Sequence, residues 1–261
     1  MMFSMTSLKL FGTIRQTALM IAAISCAVLG STTTVAAQQT ARGFVTVNWG
    51  FQATSTNFSD NVVITRFVEQ GDFDAGYGVD GGNIFDMSGA IRVWRNLAIG
   101  VGVSLFDRDD DVSVAARIPH PFFFDQDRQI SGAQGDLRRK ETAVHVQVIW
   151  VVPVNEALEL AVFGGPTFFD VKQDLVTDVL FTQVYPYDTA TYTGLTTGNQ
   201  SESTIGFNVG ADVAFYFSEH VGIGWLTRFS RATVDLRSAD GDTVKVDAGG
   251  FHVAAGLRLR F

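Results

Sequence analysis

Cysteine is all but missing from this chain: the single one, Cys26, lies in an apolar stretch near the amino terminus. If that stretch is removed on export, what remains has no disulfide, no thiolate nucleophile and no cysteine metal ligand. Proline is scarce too, at five residues against 26 glycines. Helix formers seldom recur at 3.6-residue spacing, which argues against a helical domain. Beyond residue 37 no run of eighteen apolar residues occurs, so a spanning helix is excluded there. No run of lysine and arginine longer than Arg138-Arg139-Lys140 offsets a formal net charge of -8. That balance argues against a nucleic-acid partner.

What the chain does have begins with its leader. Lys9 and Arg15 are the only charges before residue 38, and Thr17 to Gly30 is mostly apolar. Val35-Ala36-Ala37 follows as a small-residue exit. This is the order of a secretory signal peptide, with cleavage expected after Ala37 and a mature domain over 38–261. Loss of the leader takes two positive charges with it and leaves the mature chain still more acidic.

The last thirteen residues organise the rest. Phe251, Val253, Ala255, Leu257, Leu259 and Phe261 fall on one face of an extended chain, while His252, Ala254, Gly256, Arg258 and Arg260 fall on the other. The same alternation recurs upstream. Val45, Val47, Trp49 and Phe51 oppose Thr46, Asn48, Gly50 and Gln52. Phe85, Met87, Ile91 and Val93 oppose Asp86, Ser88, Ala90 and Arg92. Further strands are expected at Leu97–Leu105, Val144–Trp150, Leu158–Phe163, Ile205–Phe215 and Val221–Phe229. Tight turns are expected at Trp94–Asn96, Pro153–Asn155 and Ser218–His220. Long outer loops are expected over Thr54–Gly82, Asp107–Lys140 and Asp170–Ser203, and the last long loop contains Asp240-Gly241.

The count is eight strands, and short and long connections alternate strictly. An eight-stranded antiparallel up-and-down barrel in an outer membrane requires that layout, with short turns and both mature termini on the periplasmic side. Ten strands result if the Asn61–Tyr77 region joins the wall. Outward aromatics (Trp49, Phe51, Trp150, Phe215, Trp225, Phe229 and Phe261) suit the girdles of such a barrel.

With these features the sequence resembles the outer-membrane β-barrel proteins of Gram-negative bacteria, in particular the small OmpA/OmpX-type and OmpW-like group. The resemblance implies that Phe261, with Leu257 and Leu259 on the same face, forms the signal read by the barrel-assembly machinery. It also implies contact with outer-membrane lipid and lipopolysaccharide, and a monomer. It does not imply the soluble peptidoglycan-binding domain that follows the barrel in OmpA.

Inward faces bear Asp86, Arg92, His145, Glu159, Asp212, Arg228, His252 and Arg258. Acids and bases facing one another in a narrow lumen form a hydrogen-bonded filling. The leading expectation is therefore a non-enzymatic structural or surface-interaction barrel with a side-chain-filled interior. The alternative is a narrow pore for ions or small solutes with a constriction at the same residues. A lipid-modifying enzyme is a weaker alternative, its least implausible participant being His120, with Asp107, Asp109, Asp110, Asp111 and Asp125 as acidic companions. No cofactor or metal site is expected, because Asp107–Asp111 lacks the spacing and glycine of a calcium loop. Phe122, Phe123 and Phe124 make an apolar loop patch, expected to pack over the mouth or touch the membrane boundary, with adhesion as the competing role.

Overall fold

The computed structural model describes residues 42–53 and 56–261. The expected leader and its cleavage site lie outside these residues. Ten strands follow in chain order: β1 (Gly43–Ala53), β2 (Thr56–Arg66), β3 (Glu69–Val79), β4 (Gly82–Trp94), β5 (Leu97–Pro119), β6 (Asp127–Pro153), β7 (Leu158–Gln183), β8 (Ala190–Tyr216), β9 (Val221–Arg237) and β10 (Thr243–Arg260). Eight of them close a ring of antiparallel pairs, running β1–β4–β5–β6–β7–β8–β9–β10 and back to β1. The remaining two, β2 and β3, form a hairpin that joins the wall through β3 and the far half of β5. Eight strands therefore close the barrel and ten build its wall.

Three of the expected long loops are strand. Asp107–Lys140 continues β5 and β6 around a short turn, and Asp170–Ser203 continues β7 and β8 in the same way. Thr54–Gly82 contains the β2–β3 hairpin. On β5 the polarity comes from an inversion partway along the strand. On β5, Ile99, Val101 and Leu105 point outward and are exposed, while Ala98, Gly100, Gly102 and Ser104 point inward. Past Leu105 the sides keep their parity and exchange their chemistry. Asp107, Asp109, Asp111, Ser113, Ala115 and Arg117 face out, and Val112, Val114, Ala116 and Ile118 are buried inside.

The outer apolar belt thus covers only the end of the barrel that carries the chain termini. On β10 it runs from Phe251 to Phe261, roughly 33 Å along the strand, or about 25 Å in height at a tilt near 40°. Trp49, Phe51, Trp150, Phe215, Trp225, Phe229 and Phe261 are all exposed on it.

Above the belt the wall parts along three seams, one of them between β10 and β2, which pairs only with β3. β6 and β7 pair only from Arg139↔Gln173 toward the terminal end, and β8 and β9 only from Phe207↔Arg231. The distal wall is therefore a four-stranded sheet (β2–β3–β5–β6) and two hairpins (β7–β8 and β9–β10). Their inner faces meet in an apolar core that includes Ile64, Phe73, Tyr77, Ile118, Leu137, Leu175, Val234, Leu236 and Val246. Hydrogen bonds tie the parts together. The Val176 amide donates to the Tyr77 hydroxyl at 2.7 Å, and the Ser238 hydroxyl donates to Asp60 at 2.8 Å. Burial in this core pushes the Tyr77 hydroxyl pKa upward. The barrel mouth is thereby closed by a packed cap.

Candidate functional site: the filled lumen

Period-2 alternation sends one residue in two of every belt strand into a lumen too narrow for isolated charges, so each must find a partner. At the terminal end, Glu159 of β7 accepts from Arg260 of β10 at 2.9 Å and lies 3.8 Å from Arg92 of β4. The Arg260 guanidinium also sits 3.9 Å over the Tyr216 ring, a cation–π contact. The next layer is one continuous hydrogen-bonded chain. Arg258 donates to both carboxylate oxygens of Asp212 and, at 2.5 Å, to Asn48 Oδ1. Asn48 Nδ2 donates to Asp86 Oδ1 at 3.2 Å, and Arg228 donates to Asp86 Oδ2 at 2.7 Å. Residues of β8, β10, β1, β4 and β9 are joined this way across the lumen, with Arg228 and Arg258 each 1% exposed.

Histidine and amide groups form the layer above. His145 Nε2 lies 2.6 Å from Ser104 Oγ, and Nδ1 lies 2.9 Å from Thr167 Oγ1. Asn208 donates to Thr167 and accepts from Gln147. His252 Nε2 is 3.4 Å from Ser230 Oγ. Each of these two histidines thus has a hydroxyl partner, and neither has a carboxylate within ion-pair distance.

A further layer, beneath the apolar cap, is made of residues that the expected loop concealed. Arg139 pairs with Glu141 at 2.7 Å and donates to Gln173 at 3.3 Å and to the Asp247 carbonyl at 2.6 Å. Glu141 accepts in addition from Gln52 and from the Gly249 amide. Asp110 sits at the edge of this layer, 3.4 Å from Arg108, where burial pushes its carboxyl up to about 6. The signal for these residues was present in the alternation of Val112, Val114, Ala116 and Ile118 with Ser113, Ala115 and Arg117.

Inward glycines receive bulky neighbours here. A Cβ on Gly224 would lie 2.6 Å from the Arg258 guanidinium, and one on Gly210 would lie 2.6 Å from the Phe163 ring. That ring in turn lies under Arg228, at 5.7 Å. One internal cavity, bounded by Gln52, Ser104, Phe106, Glu141, Phe169 and His252 among others, measures about 10 Å³. It holds a single water at most.

All eight expected lumen residues point inward. Six of them form the ion pairs Arg258–Asp212, Arg228–Asp86 and Arg92–Glu159, and the two histidines bond hydroxyls. Leu257, Leu259 and Phe261 are exposed on the outer face of β10. The Phe261 amide donates to the Gly43 carbonyl at 2.9 Å, so the last residue is held in the closing pair of strands.

His120 corrects the expectation made for it. Its Nδ1 accepts the amides of Phe122 and Phe123 at 3.1 and 3.2 Å, which makes it a turn cap. Asp107 to Asp111 lie well down β5 from it, and its nearest carboxylate is Asp188, at 3.8 Å. Among the described residues no group of three or more acids, histidines or cysteines is placed to hold a metal ion.

The phenylalanine patch lies at the far end of the wall from the chain termini. Phe122, Phe123 and Phe124 occupy the distal turn between β5 and β6 and are 67%, 55% and 73% exposed. Phe122 is tilted against Tyr187, at 5.5 Å, and Phe123 lies 4.9 Å from His120. From Leu105 to Pro119 the strand climbs roughly 45 Å, or about 35 Å in height at a 40° tilt.

Comparison with known proteins adds the lineage. No curated protein matches the chain. Among solved structures, Neisserial surface protein A is 11% identical with a TM-score of 0.42, over 84% of this chain and 97% of that one. The N-terminal β-barrel domain of Pseudomonas aeruginosa OprF is 8% identical with a TM-score of 0.39, over 85% and 100%. The Escherichia coli outer membrane protease OmpT is 8% identical with a TM-score of 0.49, over 87% and 99%. The family described as outer membrane protein beta-barrel domain matches residues 23–258, and the chain belongs to that family.

Proposed function

We propose that this protein is a sealed, non-enzymatic barrel of the outer membrane, serving as a structural wall element and as a rigid support for surface contacts. The reading rests on one observation: paired charges fill the lumen from Glu159 to Glu141, and an apolar core closes it above. Ions crossing would have to displace the Arg258–Asp212 and Arg228–Asp86 pairs, and the cavity beside Glu141 and His252 has room for no more than a water.

In this reading the distal cap faces outward from the cell and both mature termini face the periplasm. The leader 1–37 is removed on export. Leu257, Leu259 and Phe261 present the outer face that the assembly machinery reads. Phe122, Phe123 and Phe124, held about 35 Å above the bilayer by a packed pillar, are the contact patch.

Planar-bilayer recording of the purified, folded protein tests the seal. The expected record is silent at salt concentrations and voltages that open ordinary porins. Steady channels whose ion selectivity changes in Asp212→Ala would contradict the seal and place that carboxylate in a conduit.

A further inference from the structure

Where the belt ends, the outer wall carries a groove of about 260 Å³ across β6, β7 and β8. Strand register sorts its surroundings into three outward rows. Val144, Phe168 and Ile205 are cross-strand neighbours and form an apolar row. Thr142, Asp170 and Ser203 form the next row, on the distal side, where the Ser203 hydroxyl donates to Asp170 at 3.2 Å. Beyond the groove comes a third row, Lys140, Lys172 and Ser201.

The third row is unusual on its own terms. Two lysines directly opposite on paired strands repel each other. Lys140 has Asp107 at 3.3 Å, but Lys172 is exposed and has no ion-pair partner among the described residues. Such a pair is stabilised by an anion between the two ammonium groups. The order of the rows, apolar then hydroxyl and carboxylate then cationic, is that of one amphiphile read from its tail outward.

We propose that this groove binds a phosphorylated glycolipid of the surrounding leaflet. An acyl chain lies against Val144, Phe168 and Ile205. Sugar hydroxyls donate to Asp170 and exchange hydrogen bonds with Thr142 and Ser203. A phosphate bridges Lys140 and Lys172. The hydroxyl-binding middle row selects a sugar head over a simple glycerol phosphate, and the lysines select for the phosphate. The site rests on the belt lying in the outer membrane and is independent of the seal in the lumen.

Native mass spectrometry of the folded protein, released from detergent containing lipid A or phosphatidylglycerol, tests this. The wild type is expected to retain one lipid A, at least about tenfold more than the Lys140→Ala, Lys172→Ala double variant. It is also expected to retain lipid A in preference to phosphatidylglycerol. Lys245→Ala, which removes an exposed lysine from β10, is expected to match the wild type. Equal retention by the wild type and the double variant would overturn the proposal. So would an equal loss in Lys245→Ala, or no preference between the two lipids. None of these outcomes bears on bilayer conductance, so failure here is distinguishable from failure of the sealed-barrel reading.

Discussion

Replacing Arg258 with alanine is expected to lower the unfolding free energy by about 3–5 kcal/mol, measured by urea titration in lipid vesicles. The magnitude follows from what is left behind. Asp212 loses a two-bond partner, and Asn48 Oδ1 loses its donor, in a layer where Arg258 was 1% exposed. Water entering the vacated space can hydrate the carboxylate but supplies no compensating charge. Most of the loss is the cost of an orphaned charge and not the worth of the pair. Arg258→Met combined with Asp212→Leu is therefore expected to cost less than Arg258→Ala alone, since no charge remains to be satisfied. A double variant worse than the single would mean that the pair itself supplies the stability.

The second large effect depends on height along the wall. Val101→Arg is expected to destabilise by about 2–4 kcal/mol, because Val101 faces outward at the middle of the belt row on β5. Ala115→Arg, on the same outward face of the same strand, is expected to fall within about 0.5 kcal/mol of the wild type. Ala115 lies past the inversion at Leu105 and faces Asp74 across the β3–β5 pair. Equal costs at the two positions would place both in lipid and remove the distal boundary drawn here.

Much of this molecule could be read from period-2 alternation. The eight ring strands, the tight turns and the inward face of every belt charge follow from parity once one strand is assigned, because a one-residue slip would turn Arg258 and Asp212 into the lipid. The partners did not follow. That Arg228 meets Asp86 and not Asp212 is a consequence of ring closure, which joins residues 142 positions apart in sequence. The distal strands were hidden by an assumption about sign. A belt strand is apolar outside and polar inside, whereas from Val112 to Ile118 the apolar residues keep the alternation but belong to the inside. The charged stretch Asp107–Asp111 straddles the switch and obscures it, and with it went Arg139 and Glu141. His120 is parted from Asp107, Asp109, Asp110 and Asp111 for a related reason: residues near in sequence stand far apart along an extended strand.

The interior is expected to be filled along the whole height of the wall, first by paired charges and then by apolar side chains. Single cysteines placed along β5 test it directly, since Cys26 is the sole native cysteine and is expected to leave with the leader. The protein would be held in vesicles and exposed to a water-soluble maleimide. Cysteines at Asp109, Ser113 and Ala115 are expected to react, while those at Val112, Val114 and Ala116 stay protected, as do Val101 and Val103 in the lipid belt. Comparable reaction at every position from Asp109 to Ala116 would mean a solvated loop in place of a filled wall, and would contradict the account.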